Sequence, residues 1–171
     1  MNLEGPVEAV FDTSVIIGAI LESYGREAGD TSRSVLTSLI ERPSHILRIS
    51  EKAVKECKDV LEKHGLPSRY ILPILWGLLE PRGKIKKCQY RPEDIELDVS
   101  IPEHDRHIVE AAVAIKRKGI TVCIVHKNPR HFEPIKEEMH RKHDILVLTP
   151  EEYPHFRKSQ RIPRRRAPQA T

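Results

Sequence analysis

The sequence has few cysteines, and their number and spacing exclude two classes of small protein. Cys57, Cys88 and Cys123 are the three cysteines of the chain. An odd count at wide spacing favours neither a disulfide framework nor a Cys-x-x-Cys metal site. We therefore expect three buried, reduced thiols, which are typical of a reducing compartment.

Long apolar runs are also missing. No window approaches the roughly 18 consecutive apolar residues of a membrane-spanning helix. The start, "MNLEGPVEAVF", lacks the charged segment and long apolar stretch of a signal peptide. These absences predict a cytoplasmic protein with no membrane role.

Two nucleotide-binding motifs do not occur. The chain contains neither a Gly-x-x-x-x-Gly-Lys-Ser/Thr loop nor a Gly-x-Gly-x-x-Gly turn. Those motifs cradle phosphates with backbone N–H groups at the start of a helix. ATP hydrolysis and dinucleotide binding therefore have no support in the sequence.

What is present is the composition of a globular protein. The chain has 171 residues, of which 39% are hydrophobic and 32% charged. That length suits one domain with a substantial core. We expect a domain over residues 1–150 and a basic, flexible tail over residues 151–171.

Basic charge is concentrated at the C-terminal end. The last fifteen residues contain six Lys or Arg and no acid, so the other 156 residues have 29 minus 6, or 23, basic residues against 25 acids. Such a segment favours phosphate backbones or an acidic protein surface, although it can also be a disordered end that only aids solubility. The residues predicted to contact nucleic-acid phosphates are Arg157, Lys158, Arg161, Arg164, Arg165 and Arg166.

Apolar patterning predicts strands alternating with helices. Strands are predicted at 7–11, 45–50, 120–125 and 145–149, with a short one within 83–89. Helices are predicted from Ser14, over 31–41, from 51 to Gly65, over 66–80 with a break at Pro73, from Pro102, and over 133–143. Ser14 and Ser50 are the predicted N-caps. This alternation implies a three-layer α/β/α sandwich around a central, mostly parallel sheet.

Several acids fall where such a sheet binds ligands. Asp12 follows the first predicted strand, Asp105 lies in the predicted first turn after Pro102, and Glu56 borders the buried face of its helix. Ligands of open α/β sheets gather at the carboxyl ends of the strands. Carboxylates gathered there repel one another unless a hard cation such as Mg²⁺ or Mn²⁺ neutralises them. Each acid taken singly also fits a turn or a helix N-terminus.

Four segments together resemble the PIN domain, a ribonuclease fold of about this length. They are "FDTSVIIGAI", "AVKECKDVL", "DRHIVEAAV" and "IVHKNPRHFEPI". The last is similar to a loop of the VapC-like toxin ribonucleases. The resemblance covers roughly residues 7–150 and depends on the order and spacing of the four segments.

The resemblance implies a site and an activity. The metal-binding acids of the family correspond to Asp12, Glu56 and Asp105, its fourth catalytic position to Asn128, and its supporting hydroxyls to Thr13 and Ser14. The implied activity is cleavage of RNA phosphodiesters by a water that Mg²⁺ or Mn²⁺ activates, leaving 5′-phosphate ends. The toxin branch further implies a homodimer and a small antitoxin protein as partner.

Two departures from the family pattern leave an alternative open. Asn128 is neutral, so the predicted pocket has three formal negative charges instead of four, and His126 stands where the family usually has Thr. The alternative is a catalytically weakened PIN-like module that binds RNA or a protein. A zinc site at the His-x-x-His pairs, His104 with His107 and His140 with His143, is a weaker alternative, because the chain offers them no suitably spaced partner pair.

Overall fold

The computed structural model describes residues 5–156, and their architecture is an α/β/α sandwich. The strands in this range are β1 (Val7–Phe11), β2 (His45–Ile49), β3 (Ile85–Lys87), β4 (Thr121–Val125) and β5 (Ile145–Leu148). The α-helices in this range are α1 (Thr13–Ser23), α2 (Thr31–Glu41), α3 (Glu51–Lys63), α4 (Ser68–Leu79), α5 (Arg106–Ile115), α6 (Pro129–Phe132) and α7 (Lys136–His143).

The strands form one sheet in the order β3-β2-β1-β4-β5, and each neighbouring pair is parallel. The central strand β1 is buried along its whole length, and four of the five residues of β4 are buried. Strands covered on both faces read as continuous apolar runs, as "ITVCIV" does. The predicted α/β class and parallel central sheet are confirmed.

Alternation along β1 divides the core into two halves. Val7, Ala9 and Phe11 pack with the helices α1 to α4, whereas Val10 packs with α5, α6 and α7 on the other face of the sheet. Successive side chains of a strand point to opposite faces, so a five-residue strand serves both halves. The three free cysteines lie buried in these halves, as predicted.

Helices α4 and α5 differ from the sequence prediction. Pro73 lies inside α4 without breaking it. A proline removes the hydrogen bond to the carbonyl four residues earlier, that of Arg69, and both residues lie on the exposed side of the helix. Helix α5 begins at Arg106 instead of Pro102, because residues 102–105 form a turn in which Asp105 N–H donates to the Pro102 carbonyl.

The packed chain continues past residue 150, where the sequence placed the end of the domain. Tyr153 is fully buried, with its ring edge against Phe11, and Phe156 also belongs to the core. Arg42 Nη1 donates to the carbonyls of Tyr153 and Phe156, at 3.3 and 2.8 Å. The predicted phosphate-binding residues Arg157, Lys158, Arg161, Arg164, Arg165 and Arg166 lie outside the described residues.

No helix within residues 5–156 has both the length and the apolar character needed to span a bilayer.

Candidate metal centre

The predicted site residues lie at or beside the carboxyl ends of the two central strands. Asp12 directly follows β1, and Asn128 lies in the loop after β4. Asp105 is the residue before α5, and Glu56 is on α3. β1 and β4 are paired in register from Val7 with Thr121 to Phe11 with Val125, so their carboxyl ends meet at one edge of the sheet.

The two hydroxyls after Asp12 each support a carboxylate. Ser14 Oγ donates to Asp12 Oδ2 at 2.5 Å, and Thr13 Oγ1 donates to Glu56 Oε2 at 3.2 Å. The prediction that Ser14 caps α1 is wrong, because the helix begins at Thr13 and Asp12 occupies the N-cap position. The Asp12 side chain makes no capping hydrogen bond and remains directed to the site.

The environment of Asp12 disfavours its negative charge. Burial, with 6% of the residue exposed, raises the pKa of Asp12 above its usual value of 3.8. The hydrogen bond from Ser14 lowers this pKa, the negative charges of Asp105 and Glu56 raise it, and the charge of His107 lowers it. Asp12 is therefore electrostatically coupled to Glu56 and to Asp105.

Glu56 is held from two sides. His107, on the buried face of α5, donates from Nε2 to Glu56 Oε2 at 2.9 Å, and the same oxygen accepts the Thr13 hydroxyl. His107 is only 2% exposed, whereas Glu56 is partly exposed. The fixed imidazole therefore orients a carboxylate that α3 alone would leave free to choose other rotamers.

Asp105 lies between two imidazoles. His131 Nδ1 is 2.5 Å from Asp105 Oδ2, and His104 Nε2 is 3.4 Å from the same oxygen. Asn128 joins this group through His131, since Asn128 Nδ2 is 2.8 Å from His131 Nδ1. Asn128, the predicted fourth catalytic residue, is thus linked to Asp105 through His131.

Of the two histidine pairs named as zinc candidates, His104 and His107 do not act as a pair. His104 contacts Asp105, and His107 contacts Glu56, so the two point to different acids. Among residues 5–156, the one group of three or more His, Cys, Asp or Glu close enough to share a metal ion is His104, Asp105 and His131. His140 and His143 are outside that group.

His126, which stands where the resembled family has Thr, is a core residue. It is fully buried, and its ring stacks on Phe132 with centroids 4.9 Å apart and planes 21° from parallel. Burial lowers the pKa of His126, so the ring is neutral at physiological pH. The nearest carboxylate oxygen, Glu133 Oε1, is 3.6 Å from Nε2, which is beyond hydrogen-bond length.

A cleft of about 320 Å³ opens beside this edge of the sheet. Its lining includes Glu27 and Lys127, whose side chains form an ion pair at 2.8 Å. Lys127 lies against Gly18 of α1, where a Cβ would be only 2.8 Å from Lys127 Nζ. Because Gly18 has no side chain, the ammonium group of Lys127 can lie against α1 beside the cleft.

Sequence reasoning did not assign the contacts of His104, His107 and His131 with the acids. His107 signals its role weakly, because a buried histidine on a largely apolar helix needs a polar partner. His131 follows Asn128 by three residues on a short helical turn, which places both side chains on one face. Nothing in the local sequence indicates that His131 would meet a residue 26 positions earlier.

Two comparisons with known proteins identify no family for this chain. A scan against models of protein families finds no match, and a search of the curated proteins finds none either. The class that the fold and geometry define is an α/β protein with a buried aspartate and two further acids at the carboxyl edge of a parallel sheet.

Proposed function

We propose that this chain is a PIN-like endoribonuclease that cleaves RNA phosphodiesters with Mg²⁺ or Mn²⁺. The observation that carries the proposal is the convergence of Asp12, Glu56 and Asp105, which come from three separate segments. Burying Asp12 beside two like charges costs stability unless a cation neutralises them. Acids are gathered at such a cost when they have a functional task.

The donor set fits a hard divalent cation. Carboxylate oxygens are the ligands that Mg²⁺ and Mn²⁺ prefer, and Asp12, Glu56 and Asp105 supply them. When bound, the cation supplies activation of a water and charge stabilisation at the scissile phosphate.

The surrounding residues orient the acids. Ser14 fixes one oxygen of Asp12, while Thr13 and His107 fix Glu56. These hydrogen bonds restrict the two carboxylate side chains before the metal binds, so that binding costs less side-chain entropy. In this proposal Asn128 orients a water, and the products carry 5′-phosphate ends, as in the family that the sequence resembles.

RNA binding by the C-terminal residues belongs to the same proposal. The described chain ends at Phe156, whose carbonyl is held by Arg42 just before β2, at the amino edge of the sheet. Arg166 is ten residues beyond Phe156, a length of chain that can span at most roughly 35 Å. In this proposal the arginines furthest along, Arg164 to Arg166, contact RNA that extends from the carboxyl edge, and Arg157, Lys158 and Arg161 contact RNA nearer to Phe156.

A homodimer, an antitoxin partner and a cytoplasmic setting complete the proposal. An apolar stripe on α4 supports the dimer: Tyr70, Ile74 and Leu78 recur every fourth residue and are 60%, 62% and 47% exposed. Contiguous exposed apolar surface is typical of protein interfaces.

The three buried free thiols suit a reducing compartment.

One observation favours the alternative, a catalytically weakened module that binds RNA or a protein. Asn128 is neutral and is engaged with His131, so the fourth family position supplies no charge. In this alternative the arginine-rich segment does the binding, and the acids have no hydrolytic role.

Metal titration separates the two functions. Calorimetry with Mn²⁺ should give heat with the wild-type chain and much less with Asp12→Asn, which keeps the volume but removes the charge. Asp59→Asn, at an exposed position on α3, is the matched control and should bind as the wild type does. Absence of heat in the wild type would refute the enzyme proposal.

A further inference from the structure

The group of His104, Asp105 and His131 has a different chemistry from the three acids. It contains two imidazole nitrogens and one carboxylate oxygen, and each possible ligand atom lies within 4.8 Å of the others. His104 and Asp105 come from the turn before α5, and His131 from the short helix after β4. The two imidazole rings meet edge to face, with centroids 5.2 Å apart.

The three ligand atoms are close to the spacing that a single ion imposes. Zinc–nitrogen and zinc–oxygen bonds of about 2.0 to 2.2 Å place neighbouring ligands roughly 3 to 3.5 Å apart. The Asp105 oxygen is 2.5 Å from His131 Nδ1 and 3.4 Å from His104 Nε2. The third distance, between the two imidazole nitrogens, is at most 4.8 Å, so side-chain shifts of roughly 1 to 1.5 Å bring the three atoms around one ion.

Asn128 adds a second observation. The ring nitrogen Nδ1 of His131 faces both Asp105 Oδ2 and Asn128 Nδ2, at 2.5 and 2.8 Å. A half-turn of the Asn128 amide would place Oδ1 instead of Nδ2 beside His131 Nδ1, so Asn128 can offer an oxygen to the same group. This oxygen is available as a further ligand to a cation bound to Nδ1 and the Asp105 carboxylate.

The chemistry of this set selects among metals. Imidazole nitrogen suits Zn²⁺, Cu²⁺, Ni²⁺ and similar transition ions, whereas Mg²⁺ and Mn²⁺ prefer oxygen ligands. Asp105 is 8% exposed and His104 largely exposed, so the group is anchored on its inner side and open to solvent on its outer side. An ion can enter from solvent without a change of fold.

We propose that His104, Asp105 and His131 form a transition-metal site, of the Zn²⁺ class, with Asn128 as an additional oxygen ligand. The site shares Asp105 with the three-acid cluster and does not require Asp12 or Glu56. The proposal concerns metal binding and holds whether or not the chain cleaves RNA.

The test is calorimetry of Zn²⁺ binding to the full chain after treatment with EDTA. We expect one Zn²⁺ per chain in the wild type and much weaker binding of Mg²⁺. His131→Ala and His104→Ala should each weaken Zn²⁺ by roughly 10- to 100-fold or more, since each removes a ligand. His140→Ala removes an exposed histidine of α7 and should bind as the wild type does. The proposal would be overturned if neither His131→Ala nor His104→Ala weakened the binding of Zn²⁺.

A second variant keeps this test separate from the test of the enzyme. Asp12→Asn combined with Glu56→Gln removes two of the three acids and leaves the histidine group intact. We expect this double variant to lose Mn²⁺-dependent cleavage while retaining Zn²⁺ binding. If Co²⁺ replaces Zn²⁺, its visible absorption reports nitrogen ligands, and the spectrum should change in His131→Ala. Zn²⁺ binding lost in the double variant but unchanged in His131→Ala would assign the ion to the acids and contradict the proposal.

Discussion

His45 is a buried histidine whose protonation should destabilise the fold in mild acid. It begins β2, is 1% exposed, and its Nδ1 lies 2.8 Å from the Tyr153 hydroxyl. Burial, followed by the positive charges of Arg42 and Lys84, lowers the pKa of His45 from 6.5 to about 4. A proton on His45 is therefore bound more tightly in the unfolded chain than in the folded one.

The sign and size of the effect follow from the two pKa values. Stability is lost as the pH falls from 6.5 toward 4, since the unfolded chain takes up the proton first. The difference between the pKa values corresponds to about 3.4 kcal/mol when the loss is complete. About 2 kcal/mol of it is already lost near pH 5.

The measurement is urea unfolding of the wild type and His45→Gln at about pH 7.5 and about pH 5. Gln is polar and neutral at both pH values, and other titrating groups contribute equally to the two proteins. We expect the difference in free energy of unfolding between them to shift by about 2 kcal/mol in favour of the variant at the lower pH. A difference that is the same at both pH values would refute this reasoning.

Three further predictions follow from the charges and caps of the described residues. In EDTA, Asp12→Asn should raise the midpoint temperature of thermal unfolding, because the ionised Asp12 carboxylate destabilises the fold at pH values above its raised pKa. An unchanged or lower midpoint would contradict the repulsion between Asp12 and the other two acids. Glu22→Ala should cost about 1 to 2 kcal/mol in urea unfolding, since Glu22 accepts the N–H groups of Ser32 and Arg33 at the start of α2; a loss below about 0.3 kcal/mol would contradict that cap. Deleting residues 157–171 should weaken RNA binding across sequences and flatten its dependence on salt, measured by fluorescence anisotropy; an unchanged slope would exclude phosphate contacts by this segment.

The sheet was predictable because its central strands carry a strong local signal. β1 and β4 are covered on both faces, so apart from Glu8 and Thr121 their residues are apolar without alternation. The cap of α3 was also local, because the Ser50 hydroxyl accepts the Ala53 N–H at 3.2 Å, as a serine before a helix does. These features depend on neighbours within a few residues.

The predicted boundaries that proved wrong depend on competition between neighbouring signals. Pro73 indicates a helix break, but an exposed carbonyl four residues earlier can bind water instead, so α4 continues. Pro102 indicates a helix start, but a turn through Asp105 delays α5. Exposure of α4, which decided the first case, depends on tertiary packing, whereas the turn that decided the second is a local alternative to a helix start.

The acids of the candidate site were predictable only in part. Asp12 and Asp105 could be assigned to the carboxyl edge because their strands and helices were identifiable. The histidines that contact Asp105 and Glu56 could not be assigned, because His131 meets Asp105 through the approach of the loop after β4 to the start of α5. Contacts of that kind are set by packing of the whole sheet, and no short segment encodes them.

The most direct test of the central claim is cleavage of a structured RNA with Mg²⁺ or Mn²⁺ by the wild type, Asp105→Asn and Asn128→Asp. Glu103→Gln, at an exposed position two residues from Asp105, is the matched control. The account predicts cleavage by the wild type and the control, loss of cleavage in Asp105→Asn, and retention of cleavage in Asn128→Asp. Cleavage by Asp105→Asn at the wild-type rate, or none by the wild type, would contradict it.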